Sequence, residues 1–200
     1  GNNVGMAVAG GDLILFANPD LRVDFDGLTH LERRLDAGDG LVAPQLLNPD
    51  GSPQPNGRGF PTLGNKVRNR TTAQDHARYR ILAAPGQVVP VCFVMGAAVA
   101  ASRSFLESLG GWDEGFFVYY EDSDLGLRSW LAGGRVEVVG DVRWQHDWAR
   151  DTLRLSLRPW LFEVRSMARF YRKYPSLLGT QGAAEREFPA IAEALKAGPS

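Results

Sequence analysis

The chain has 200 residues, 44% of them hydrophobic and 22% charged, a composition that supports one globular domain with a sizeable core. Its 22 basic and 23 acidic side chains leave a net charge of -1, which argues against a dedicated nucleic-acid binder. One cysteine excludes an internal disulfide, and no stretch approaches the roughly 18 apolar residues of a membrane span.

The chain opens with neither an initiator Met nor a signal peptide, so it is expected to belong to a longer protein whose N-terminal piece is missing. "NNVGMAVAGG" reads as a short helix, capped by Asn2 or Asn3 and ended by Gly10-Gly11. "DLILFANPD" is apolar from Leu13 to Ala17, as suits a central strand covered on both faces, and it stops at Asn-Pro-Asp. "LTHLERRLDAGD" places Leu28, Leu31 and Leu35 on one helical face, and "GLVAPQLL" is the next strand. "NPDGSPQPNGRGFPT" is loop by composition. Lys66 to Arg80 is basic and polar, either a mobile or partner-contacting segment or a solvated helix. One or two buried strands fill "QVVPVCFVMGAAVAAS", where Cys92 has no basic neighbour and reads as a small buried hydrophobe. The helix "RSFLESLGG" follows, then a helix from Ser123 to Ala132, then the strand "RVEVVGDVRWQHD". Leu153 to Tyr174 is a basic, aromatic helix, broken or kinked near Pro159. This alternation predicts an α/β layered fold with a mostly parallel central sheet and functional residues at the C-terminal ends of its strands.

Three places carry candidate chemistry. Asp20 follows Pro19 at a strand tip, where a carboxylate can hold a hard divalent cation, although Asn-Pro-Asp is also a common turn. In "GFFVYYEDSDLGLR", four aromatics precede Glu121, Asp122 and Asp124. Asp122 reads either as a helix cap or as a general base beside an aromatic sugar platform, while Asp124 and Arg128 have the spacing of an ion pair. His146 ends a strand between two tryptophans; sharing a cleft with Asp20, it would complete a cation site with Asp147 as its orienter. His30 and His76 read as surface residues.

The order of these features resembles inverting glycosyltransferases of the GT-A (nucleotide-diphospho-sugar transferase) type, in the bacterial rhamnosyltransferase-like branch. The stretches that carry it are "GNNVGMAVAGGDLILFANPD", "DGSPQPNGRGFPT", "VMGAAVAASRSFLESLGGWDEGFFVYYEDSDLGLRSWLAGG" and "VRWQH", together spanning Gly1 to His146. The resemblance implies a GT-A domain over residues 1–150 and a C-terminal helical extension over 151–200. Asn3, Asn18, Asp20, Gly96 and Ala97 would meet the donor, with Asp20 and His146 as ligands of Mg²⁺ or Mn²⁺. Asn18 stands where the Asp-x-Asp form has its first acid, which weakens the expectation of metal dependence. Asp122 would take the acceptor proton and Glu121 would orient it, with Phe117, Tyr119 and Tyr120 in an acceptor wall running from Phe116 to Tyr120.

The implied partners are a nucleotide sugar, dTDP-rhamnose by preference, and a glycan or polyprenyl-linked acceptor in cell-surface polysaccharide synthesis. The implied place is the cytoplasm, at the inner face of the plasma membrane. The family's first, nucleotide-holding strands would precede Gly1, so the isolated chain is expected to bind nucleotide poorly, with apolar surface bared beside Leu13–Ala17. In the tail, Arg154, Arg158, Arg165, Arg169, Arg172 and Lys173 interleave with Trp160, Phe162, Phe170 and Tyr171, fitting either an anionic-lipid contact or a helix packed on the domain. Two rivals stand: an inert glycan- or nucleotide-binding module of the same fold, and a glycoside hydrolase, whose two opposed acids the adjacent Glu121 and Asp122 do not supply.

Overall fold

The computed structural model describes residues 1–71, 78–147 and 157–200. In chain order its elements are α1 (Asn2–Val8), β1 (Leu13–Ala17), β2 (Leu21–Arg22), α2 (Phe25–Asp36), β3 (Gly40–Leu47), β4 (Pro53–Gln54), β5 (Gly57–Arg58) and α3 (Leu63–Thr71). Then come β6 (Arg80–Ile81), β7 (Val88–Pro90), β8 (Phe93–Val94), β9 (Ala98–Ser102), α4 (Arg103–Ser108), α5 (Glu121–Leu131), β10 (Arg135–His146), α6 (Leu157–Lys173), α7 (Gln181–Glu187) and α8 (Pro189–Ala197).

The main sheet runs β1-β9-β3-β10-β2, with β4 beside β3 and β7 beside β10. It is mixed rather than mostly parallel: β3 and β10 run parallel, and the other ladders are antiparallel. Apolarity on both faces of a strand reports cover, not direction, and here antiparallel strands are covered as well. β1 lies at an edge and alternates its burial instead of occupying the centre. β10 is the longest of these strands, and it bends. Its register against β3 shifts between Val139 and Arg143. At the bend a Cβ on Gly140 would lie 1.9 Å from the Ala84 carbonyl oxygen, so no larger residue fits.

Leu31 anchors α2 against Val42, Leu46 and Trp144, and the Asp24 carboxylate ties the helix start down. That carboxylate accepts from Gly27 N at 2.6 Å and from Trp144 Nε1 at 2.7 Å. α1 has no side-chain cap, contrary to the sequence expectation, and its C-cap is Ala9. From Gln54 onward the stretch expected to be loop after β3 is largely buried, because its polar groups are satisfied inside. Asn56 donates to the Pro44 carbonyl at 2.8 Å and accepts from Leu46 N at 3.2 Å, and Gln45 donates to the Gln54 carbonyl at 2.8 Å. The apolar run before α4 holds three strands rather than one or two.

A second core joins Phe60, Cys92, Phe93 and Leu127 to Phe170, Tyr171, Tyr174, Leu177, Phe188 and Ile191 from the C-terminal helices. From Leu157 onward α6 is continuous, with Pro159 in its first turn, where a missing N–H costs nothing. The start expected for this helix at Leu153, with Arg154, lies outside the described residues, as does His76.

Candidate active site

Two clusters meet at one end of the sheet. The first is set by the β2–β10 ladder, which pairs Leu21 with His146 and is extended by Asp147 N donating to the Asp20 carbonyl at 3.0 Å. That register brings His146 Nε2 to 3.4 Å from Asp20 Oδ1. His146 is buried, and its Nδ1 lies 2.8 Å from Gln54 Oε1. Because Gln54 Nε2 donates to Asn48 Oδ1, the hydrogen of the shared bond belongs on His146 Nδ1, leaving a lone pair on Nε2. Both Asp20 Oδ1 and His146 Nε2 are buried and have no hydrogen-bond partner. Two unsatisfied donor atoms of these types fit a divalent cation, although among the described residues no three His, Cys, Asp or Glu side chains converge. Asp147 is not the orienter of His146. It faces Arg22 at 3.4 Å and Gln145 at 3.2 Å, while Gln54 holds the ring.

The second cluster opens α5. Tyr119 and Tyr120 both adopt left-handed backbone, at φ 66° and 69°, a conformation that costs an L-residue about 1–2 kcal/mol. This double turn starts the helix at Glu121, two residues earlier than its sequence suggests, with Tyr120 as N-cap, so Asp122 is not the cap. Asp122 Oδ1 accepts from Ser123 N at 2.6 Å and Ser123 Oγ at 3.2 Å, leaving Oδ2 as its less engaged oxygen. The Glu121 carboxyl has a buried, unpartnered Oε2. Burial first, and then the Asp122 charge, push its pKa up to about 7. Asp124 is structural. Fully buried, it pairs with Arg128 at 2.7 Å and accepts from the Tyr174 hydroxyl at 2.8 Å.

Glu121 and Asp122 line a cavity of about 280 Å³ with Arg58, Lys66, Tyr119, Tyr120, Glu163 and others. Lys66 sits 4.5 Å from the Tyr120 ring and donates to Ser123 Oγ at 3.2 Å, so it belongs to the cavity rather than to a solvated face. A neighbouring cavity of about 290 Å³, walled by Gln54, Asn48 and Arg80, shares Arg58, Asn69 and Met95 with the first.

Gly96 and Ala97 connect the two clusters: Asn18 N donates to the Ala97 carbonyl at 2.9 Å, and a Cβ on Gly96 would lie 4.0 Å from the Asp122 Cβ. That Cβ would meet protein atoms only at ordinary contact distance, so protein packing does not require glycine there. Asn18 itself is exposed. Asn3 stands apart, its amide spent on tying α1 to the Trp112 turn: Oδ1 accepts from Trp112 N at 2.8 Å and Nδ2 donates to the Trp112 carbonyl at 2.9 Å. The aromatic wall divides unevenly. Phe116 and Tyr120 are core residues, while Tyr119 is 37% and Phe117 77% exposed. Phe117 stacks on Phe162 at 4.6 Å instead of lining the cavity. The sequence singled out neither Gln54 nor Arg58, and Lys66 only as the start of the basic segment running to Arg80. The first two lie in a stretch already matched to the family, which was the available signal.

The layered mixed sheet, flanked by helices, is that of the GT-A class of fold. The solved structure of GalNAc-T7 with UDP, GalNAc and Mn²⁺ superposes on 97% of this chain and 40% of its own, with a TM-score of 0.56 and 16% identity. Residues 47–180 match the family described as glycosyl transferase family group 2, and the chain belongs to that family. A relative in Mycobacterium tuberculosis, N-acetylglucosaminyl-diphospho-decaprenol L-rhamnosyltransferase, is 30% identical over 152 residues, covering 70% of this chain and 48% of the relative. The low-salt glycan biosynthesis hexosyltransferase Agl10 of Haloferax volcanii is 27% identical over 142 residues, covering 64% of this chain and 41% of its own. The chain thus spans less than half the length of these curated relatives.

Proposed function

We propose that this chain carries the site of an inverting sugar transferase that moves rhamnose, from dTDP-rhamnose, onto a lipid-linked glycan in cell-surface polysaccharide synthesis. The observation that carries the reading is Glu121 and Asp122 opening α5 beside Gly96, in a cavity that shares Arg58, Asn69 and Met95 with the space next to the Asp20–His146 pair. The choice of sugar and of a lipid carrier is supported by the rhamnosyltransferase relative, whose name specifies a decaprenol-linked N-acetylglucosamine.

The acceptor hydroxyl attacks the anomeric carbon while its proton passes to Asp122 Oδ2, Oδ1 being occupied by Ser123. The bond from that carbon to the diphosphate oxygen breaks on the opposite face, which inverts the centre and releases nucleoside diphosphate. Glu121, with its raised pKa, holds a proton for much of the time near neutrality and donates it in a hydrogen bond to an acceptor oxygen. Asp20 Oδ1 and His146 Nε2 are the atoms that would hold Mg²⁺ or Mn²⁺, which when bound supplies positive charge against the departing diphosphate. Arg58 and Lys66 bring positive charge of the protein's own to the same cavity. A soluble donor and a lipid-borne acceptor meet at a membrane surface, which supports a place at the inner face of the plasma membrane. No described helix is long and apolar enough to cross that membrane.

The test is nucleoside diphosphate release from a panel of nucleotide sugars, with and without Mn²⁺, for wild type and Asp122→Asn. One donor is expected to be selected, and Asp122→Asn is expected to lose about 10²–10⁴-fold in turnover. Unchanged turnover in the variant would move the base elsewhere. Nucleotide binding without turnover of any donor would leave an inert sugar- or nucleotide-binding module.

A further inference from the structure

The outer side of α6 is not used by the site, and it is unusual for an exposed surface. Leu161 is 64% and Phe162 38% exposed, and Phe117 reaches across from the turn before α5 to stack on Phe162 at 4.6 Å. At about 100° per residue, Leu161, Arg165, Ala168 and Arg172 form one line along the helix, and all four are exposed. Glu163 and Met167 project on the other side and line the cavity that holds Glu121 and Asp122. One helix therefore presents Leu161, Phe162 and two exposed arginines outward while walling the acceptor cavity inward. Its other C-terminal cations are engaged, with Arg169 and Lys173 both on Asp113, at 2.9 Å and 3.2 Å.

We propose that Phe117, Leu161 and Phe162, with Arg165 and Arg172, are a docking surface for an anionic lipid bilayer. The three apolar side chains enter the interface between headgroups and acyl chains, where stacked aromatics are favoured, and the two guanidinium groups lie over lipid phosphates. Arg165 and Arg172, the charged side chains on the exposed line of the helix, are both positive, and positive charge beside exposed aromatics complements an anionic membrane. Its helix is shared with the acceptor cavity, so docking sets that cavity at the membrane plane. The inference deepens the lipid-linked acceptor reading, but the surface itself rests only on this geometry.

The experiment is co-sedimentation with vesicles of phosphatidylcholine alone or mixed with phosphatidylglycerol, for wild type, Phe117→Ser/Phe162→Ser and Arg165→Glu/Arg172→Glu. Thermal melts confirm that the variants fold, as expected for exposed positions. Wild type should partition at least tenfold more strongly onto the anionic vesicles, with an affinity that falls as salt rises, and both double variants should lose most of it. Equal partition onto the two vesicle types, no partition, or undiminished binding by the variants would each overturn the proposal. A second arm measures transfer to a short water-soluble acceptor and to the same glycan on a polyprenyl carrier in vesicles. The aromatic variant should keep the first rate and lose the second at least tenfold. Absence of transfer to either acceptor by wild type would count against the transferase reading, while the sedimentation result would still decide the surface.

Discussion

Burial and the neighbouring Asp122 charge raise the Glu121 pKa from 4.5 in the unfolded chain to about 7 in the folded one. Between those values the folded protein binds more protons than the unfolded, so this group's contribution is fully present below pH 4.5 and is lost as pH rises through 7. Glu121→Gln should therefore flatten the fall in stability between pH 4.5 and 7 and exceed wild type above it by on the order of 1–3 kcal/mol, read from denaturant midpoints across pH. An unchanged pH profile would mean that Glu121 titrates as a solvated carboxylate. Gln54 makes a separate case. It fixes the hydrogen on His146 Nδ1, so Gln54→Leu should weaken Mn²⁺ binding about 10–100-fold, measured by titration of free Mn²⁺; equal affinity would reduce Gln54 to packing. Asp20, Asp122 and His146 were legible as candidates because each lies where chain direction changes. Gln54 was not, since a glutamine in a Pro- and Gly-rich stretch carries no local signal of burial.

At the scale of elements, α5 presents its acids because Gly126 lets it lie against β8. A Cβ there would sit 2.5 Å from the Phe93 Cβ and 2.7 Å from the Cys92 carbonyl oxygen, neither of which can swing away. Gly126→Ala should cost about 1–3 kcal/mol of stability and lower turnover as well, because the helix must shift and carry Glu121 with it. Wild-type stability with normal turnover would show that the packing gives way freely. The strands β3 and β10 and the helix α2 were legible from their periodicity, and β3 coincides with "GLVAPQLL". The start of α5 was not, because it depends on Tyr119 and Tyr120 entering the left-handed region, which a tyrosine rarely does unless the surrounding packing compels it. The buried segment after β3 was missed for a related reason. Its Asn and Gln side chains look like turn residues but act as internal substitutes for backbone pairing.

Across the whole molecule, the helices after residue 156 are built into the second core rather than set beside it. Phe188 packs on Phe60 and on Tyr174, each at 6.3 Å between ring centroids, and Ser200 exchanges two backbone hydrogen bonds of 3.0 Å with Val88. Removing residues 175–200 takes away Leu177, Phe188 and Ile191 and should cost about 5 kcal/mol or more, lowering the melting temperature and broadening the transition. A truncated chain that melts like wild type would show that the remaining core is sufficient. The layered α/β class and the family were legible in residue order alone, because they follow from hydrophobic periodicity and from motifs held within a few neighbouring residues. Folding, not residue order, sets Asp20 opposite His146, turns Lys66 into the cavity, and makes Tyr120 core while Phe117 is surface. Each of those outcomes depends on strand register and packing between segments far apart in the chain, and neither is encoded in local residue order.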